Sequence, residues 1–167
     1  MSNSENSSIS NKIDIGIKKD SLEKIVLLLN NNLASEYVLL TKTKNYHWNV
    51  IDPRFNDLHK FFDEQYSELE EMIDELAERI RSLGGKAKGT LYEFIQNSII
   101  KEEEPNLYPD ANTMLENLLK NHESIINKVR QDNDECENLH DVGTADFLTS
   151  VMEKHEKMAW MLRSFLE

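Results

Sequence analysis

The sequence predicts an all-α protein: a four-helix bundle with a short extra helix in the connection between its second and third long helices. Three observations carry this. Apolar residues recur at helical spacing in four long segments, no stretch carries a strand signal, and the turn signals Asp52-Pro53, Gly84-Gly85, Pro109 and Gly143 fall between those segments. One long connection between the second and third helices makes the bundle of the crossover type.

The chain opens on a Ser/Asn-rich run, MSNSENSSISN, that buries too little apolar surface to offset its ordering entropy. Residues 1–18 are therefore expected to form a mobile tail, with the bundle domain over 19–167. The first helix is expected to start at a capping box, Asp20 with Glu23, and to carry Leu22, Ile25, Val26, Leu29, Leu33, Tyr37 and Leu40 inward. It reaches the region of His47 to Val50, before Asp52-Pro53 stops it. The second runs from about Phe55 to Leu83, with Leu58, Phe62, Leu69, Ile73, Leu76 and Ile80 as its stripe and Gly84-Gly85 as its stop. Thr90 to Ile100 reads as the small crossover helix. The third long helix starts near Pro109-Asp110, carries Leu115, Leu118, Leu119, Ile125, Ile126 and Val129, and is expected to dissolve into the polar QDNDECEN. The fourth follows Gly143, with Phe147, Leu148, Val151, Met152, Met158, Leu162 and Phe165 at helical spacing.

At 167 residues the chain is one domain with room for a substantial core. A net charge of -12 argues against gripping nucleic acid by phosphate neutralisation and favours cations as guests. Up to Asp20, three lysines (Lys12, Lys18, Lys19) are balanced by Glu5, Asp14 and Asp20, so the tail is not a basic DNA-binding arm. The single cysteine, Cys136, suits a reducing compartment and reads as an exposed structural thiol. With no secretory signal and no membrane-length apolar run, a soluble cytoplasmic protein is expected.

The stretch from His47 to Glu78 carries the chemistry. His59 and Asp63 are spaced i, i+4, as are Asp74 and Glu78, so each pair is a two-ligand clamp on one helix face. Imidazole with carboxylate is the donor mix of iron, manganese and zinc sites. The four side chains span an arc of roughly 100°, but His59 and Asp74 are separated by a rise of about 22 Å, so one helix cannot close both clamps on one ion. A second copy, antiparallel across a two-fold axis near Glu68 and Leu69, would bring the His59/Asp63 clamp of one chain opposite the Asp74/Glu78 clamp of the other. His47 joins the set, because the Asp52-Pro53 turn lies almost midway between it and His59, which brings the two histidines level in a helical hairpin.

An intrachain di-iron site needs a Glu-x-x-His motif on each of two helices, and only Glu137 with His140 qualifies. His122 and His155 read as surface or core-edge residues. The carboxylates Glu68, Glu70, Glu71, Asp74 and Glu75, and Glu102 to Glu104, read as solvated faces, some of which would line a cavity and hold ferric ions if the protein encloses one. There is no Gly-rich phosphate loop, no nucleophile with a matching base and no CxxC.

Tyr46-His47-Trp48-Asn49-Val50, His59-x3-Asp63, and Asp74-x3-Glu78-Arg79 ending in Leu83-Gly84-Gly85 resemble the signature of the Dps proteins, the miniferritins of bacteria and archaea. Gly143-Thr144-Ala145-Asp146-Phe147-Leu148 and Glu156-Lys157-Met158-Ala159-Trp160-Met161-Leu162 are similar to that family's closing segment, so the resemblance covers residues 20 to 167. It implies a ferritin-like bundle assembled as a hollow dodecamer, with ferroxidase centres at two-fold interfaces where iron is oxidised by hydrogen peroxide and stored as mineral. His47, His59 and Asp63 would come from one subunit, Asp74 and Glu78 from its mate. Trp48 falls where the family places an aromatic beside the iron. Asp146 resembles a position at the three-fold pore, with Asp141 as a weaker candidate. The alternative is a nucleoid-associated, DNA-protecting protein. The charge-balanced tail departs from the lysine-rich extensions by which family members condense DNA.

Overall fold

The computed structural model describes residue 9 and residues 13–167. Its elements are α1 (Lys19–Asn49), α2 (Phe55–Ser82), α3 (Leu91–Asn97), α4 (Ala111–Asn138) and α5 (Val142–Leu166), and no strand occurs among the described residues. The four long helices and the short crossover helix are those expected, with ends that agree to within a few residues except at the C-terminus of α4.

Hydrogen bonds between helices fix their directions. Asn32 Nδ2 donates to Asp132 Oδ2 at 2.8 Å and Asn117 Nδ2 to Tyr46 Oη at 3.1 Å, so α1 and α4 are antiparallel. Gln65 Nε2 donates to the Met158 carbonyl at 3.4 Å and Arg79 Nε to Thr144 Oγ1 at 3.0 Å, so α2 and α5 are antiparallel too. With α1 also antiparallel to α2, helices α2 and α4 run the same way, and a long crossover must join them. That crossover lies against α1. Tyr37 stacks on Phe94 of α3 with ring centroids 4.1 Å apart, Lys42 Nζ reaches the Lys101 carbonyl at 2.9 Å, and Tyr46 Oη donates to Glu103 Oε1 at 2.6 Å. Burial, then the bond to Glu103, raises the Tyr46 phenol above its ordinary range and keeps it a donor.

The C-terminus of α2 is a Schellman turn: Gly85 N–H bonds the Ile80 carbonyl and Gly84 N–H that of Arg81, both at 3.0 Å, with Gly84 at φ +80°. Gly85 has a different reason to lack a side chain. A Cβ there would stand 2.6 and 2.7 Å from the two methyls of Val26, a core residue. Gly85→Ala is expected to lower stability by about 1–3 kcal/mol through overpacking, read as a shift of the urea midpoint.

Four expectations are corrected. The helix begins at Lys19, with Lys18 as its N-cap and no side-chain cap bond, so Asp20 already lies in the first turn. Pro109 stays outside α4, whose N-cap is Asp110 accepting from Thr113 N–H at 3.0 Å. That helix continues through QDNDECEN to Asn138, because Asp132 and Cys136 carry on the stripe of Val129 and are buried. Cys136 is therefore no exposed thiol: burial, aided by the charges of Asp141 and Asp132, pushes its pKa up to about 12, where it is unreactive. Of the segment read as a tail, residues 1–8 and 10–12 lie outside the described residues, whereas Ile9 is buried and Ile13 and Ile17 pack against the core.

The largest departure is inside the bundle. His122 and His155, expected at the surface or core edge, are fully buried, as is Glu36 on α1. His155 Nε2 stands 2.8 Å from Glu36 Oε1, and its Nδ1 stands 2.8 Å from His122 Nδ1. Three ionisable side chains from α1, α5 and α4 thus form one chain across the core. Glu36 Oε2 and His122 Nε2 have no hydrogen-bond partner among the described residues.

Candidate metal centre

The α1–α2 hairpin is closed by a compact turn. Val50, extended at φ -63° and ψ 131°, ends α1, its N–H still bonding the Tyr46 carbonyl at 2.9 Å. Asp52 then accepts from the Arg54 backbone N–H at 2.7 Å and from its guanidinium at 2.8 and 3.0 Å. These bonds hold the Asp52 carboxyl down to about 2. Arg54 also reaches Asn112 at 2.8 Å and the Phe165 carbonyl at 3.3 Å, so the turn is tied to the start of α4 and the end of α5.

This turn brings His47 and His59 level, as expected. Their rings stack with centroids 3.8 Å apart and 19° between planes. Each Nδ1 meets the other residue's main-chain carbonyl, His47 Nδ1 at 2.8 Å from the His59 oxygen and His59 Nδ1 at 2.9 Å from the His47 oxygen. A carbonyl only accepts, so both Nδ1 atoms carry protons, and in the neutral imidazoles both lone pairs sit on Nε2. Orienting a histidine through its second nitrogen is what metal sites require of the residues behind their ligands. The arrangement also satisfies the His47 carbonyl, one of the orphans of the last turn of α1.

Phe55 stacks on His59 at 5.1 Å and Tyr66 stands edge-on to His47 at 5.3 Å. Asp63, one turn beyond His59 and exposed, accepts a short hydrogen bond from the Tyr66 hydroxyl. The structure thus gathers His47, His59 and Asp63 at one end of α2. Asp74 and Glu78 are exposed further along the same unbroken helix, with no ion-pair partner among the described residues. Within a single chain, no three His, Cys, Asp or Glu among the described residues are placed to hold a metal ion.

Trp48, 70 % exposed, takes no part in the core of the subunit. Asp146 is exposed, but Asp141 is buried as the N-cap of α5, accepting from Thr144 N–H at 3.0 Å and paired with Arg79 at 3.0 Å. Its role is structural, which removes it as a pore candidate. The sequence alone does not mark Phe55 and Tyr66, because an aromatic three or four residues from a candidate ligand has no distinctive pattern.

Residues 26–167 match the ferritin family, described as a ferritin-like domain. The chain is 37 % identical over 145 residues to DNA protection during starvation protein 2 of Bacillus anthracis, covering 86 % of this chain and 97 % of that one. It belongs to the Dps family of ferritin-like proteins. A low temperature-induced protein of Nostoc is 45 % identical over 157 residues, covering 93 % of this chain and 87 % of that protein. The Dps protein of Vibrio cholerae, described as a member of the ferritin-like diiron-carboxylate superfamily, superposes with a TM-score of 0.88 at 28 % identity, covering 98 % of this chain and all of that one. No helix among the described residues is long and apolar enough to cross a membrane.

Proposed function

We propose that this Dps-family protein is a ferroxidase that oxidises Fe(II) with hydrogen peroxide at centres shared between subunits. The ferric product is stored as mineral inside a hollow dodecamer in the cytoplasm, which limits oxidative stress. The observation that carries this reading is the stacked pair His47/His59, whose Nδ1 atoms are both engaged by carbonyls while both Nε2 lone pairs remain for a metal. Asp63 adds a carboxylate beside them. Because α2 is continuous, Asp74 lies about 22 Å from His59 by its rise and Glu78 farther still, out of reach of the same ion in the same chain. A two-fold mate supplies them, and the exposed apolar residues Trp48, Ile51 and Phe55 beside the histidines suit a surface that such a mate covers.

At this centre neutral imidazoles and carboxylates bind ferrous ions as substrate. Peroxide takes one electron from each of two of them, its O–O bond breaks, and the oxygens leave as hydroxide without releasing hydroxyl radical. The ferric ions then hydrolyse, releasing protons, and deposit on acidic surface. A net charge of -12 per chain raises the local concentration of Fe(II), an effect that weakens with salt. The same charge opposes DNA coating, the second reading suggested by the name of the Bacillus anthracis relative.

Sharing between subunits is tested by complementation. Chains with His47→Ala and His59→Ala, and chains with Asp74→Ala and Glu78→Ala, are each expected to be inactive alone. Refolded together, every mixed dimer regains one centre with all five native ligands, so peroxide-dependent Fe(II) oxidation returns. Mixtures as inactive as their parents would sink the shared centre.

A further inference from the structure

We propose that Tyr66 is a positioning residue of this centre, holding Asp63 through its hydroxyl and His47 through its ring, so that one half of the ligand set is ordered before the partner subunit supplies the other. The inference rests on the shared-centre reading and adds to it a residue outside the five ligands.

Asp63 is exposed on α2, and an exposed aspartate left to itself distributes over several rotamers that a metal must then select. Tyr66 removes that freedom. It lies three residues on, on the same helix face, and its hydroxyl donates to Asp63 Oδ1. A carboxylate has several lone pairs on two oxygens, so this bond leaves Oδ2 for a metal.

The tyrosine is itself held from α1. Its ring stands edge-on to His47, with centroids 5.3 Å apart and 80° between planes. Lys44, one turn before His47, places its ammonium 4.9 Å from the ring centroid, within cation–π range. Lys44 is in turn ion-paired with Glu70, one turn beyond Tyr66. Glu70, Lys44, Tyr66 and Asp63 thus form a clasp that crosses from α2 to α1 and back. Behind the histidines, carbonyls set the ring orientation; behind the carboxylate, the phenol does. Supporting groups of this kind are worth about 10- to 100-fold in metal affinity.

The test is anaerobic titration of the assembled protein with Co(II), which reports binding through its visible absorption and by calorimetry without turnover. Tyr66→Phe keeps the ring against His47 and Lys44 and removes only the donor. It is expected to weaken Co(II) binding by about 10- to 100-fold with helicity and assembly unchanged. In an Asp63→Ala background the same substitution is expected to add little, because its effect passes through that carboxylate. Wild-type affinity in Tyr66→Phe, or an undiminished loss in the Asp63→Ala background, overturns the proposal. The parent reading has its own arm. If His47→Ala with His59→Ala binds Co(II) as the wild type does, the centre is elsewhere and both readings fall; if it abolishes binding while Tyr66→Phe does not weaken it, only the role of Tyr66 fails.

Discussion

Replacing His47 and His59 together by alanine is expected to slow peroxide-dependent Fe(II) oxidation by more than about 100-fold while the oligomer stays assembled. The magnitude follows from position: loss of a group merely supporting a ligand costs about 10- to 100-fold, and this variant removes two of the proposed ligand nitrogens outright. Assembly survives because the rings contribute little to the core beyond each other and Phe55 and Tyr66. The carbonyl of His47, released from His59 Nδ1, lies at a helix end where water can replace the bond. Stopped-flow oxidation kinetics and size-exclusion chromatography read the two halves separately. Unchanged kinetics would move the chemistry away from this hairpin. Loss of the oligomer would mean that the histidines hold the interface.

How the site was legible, and where legibility stopped, follows from periodicity. The Asp52-Pro53 turn is nearly equidistant from His47 and His59, and symmetry about a tight turn was enough to place them level. The stacking and the reciprocal Nδ1–carbonyl bonds were not readable, because they depend on the closeness of the helices. Glu36, His122 and His155 carry a signal of position that their composition opposes. Glu36 falls in register with Leu29, Leu33 and Leu40, His122 with Leu118, Ile125 and Val129, and His155 with Leu148, Val151 and Met158. Each is thus a polar residue on an apolar stripe. Charged residues are so rarely fully buried that composition argues against an inward position, and only the meeting of three helices shows that the groups partner one another. The same bias ended α4 too early, since Asp132 and Cys136 keep its inner face through a segment that looks polar.

That buried chain predicts the largest effect on stability. Replacing His155 by leucine leaves little cavity but strands the Glu36 carboxylate in the core without its donor, a loss of about 3–5 kcal/mol. Adding Glu36→Leu is expected to recover part of that loss, because the unpartnered carboxyl is gone. Two independent packing defects would do the opposite, so thermal midpoints of the single and double variants at equal protein concentration decide the matter. The pH dependence has a definite sign. Burial, then the neighbouring His155, holds the His122 pKa well below its ordinary value of about 6.5, and His155 and Glu36 are the ionisable groups bonded into its network. The unfolded chain therefore takes up a proton that folded His122 refuses. Stability conferred by neutral His122 is complete above about pH 6.5 and is lost as the pH falls from there toward the depressed folded value, with a slope of at most about 1.4 kcal/mol per pH unit. His122→Gln removes the titrating ring, so its stability profile should be flatter than the wild type's over that window. A slope retained in this variant would assign the acid sensitivity to surface carboxylates instead.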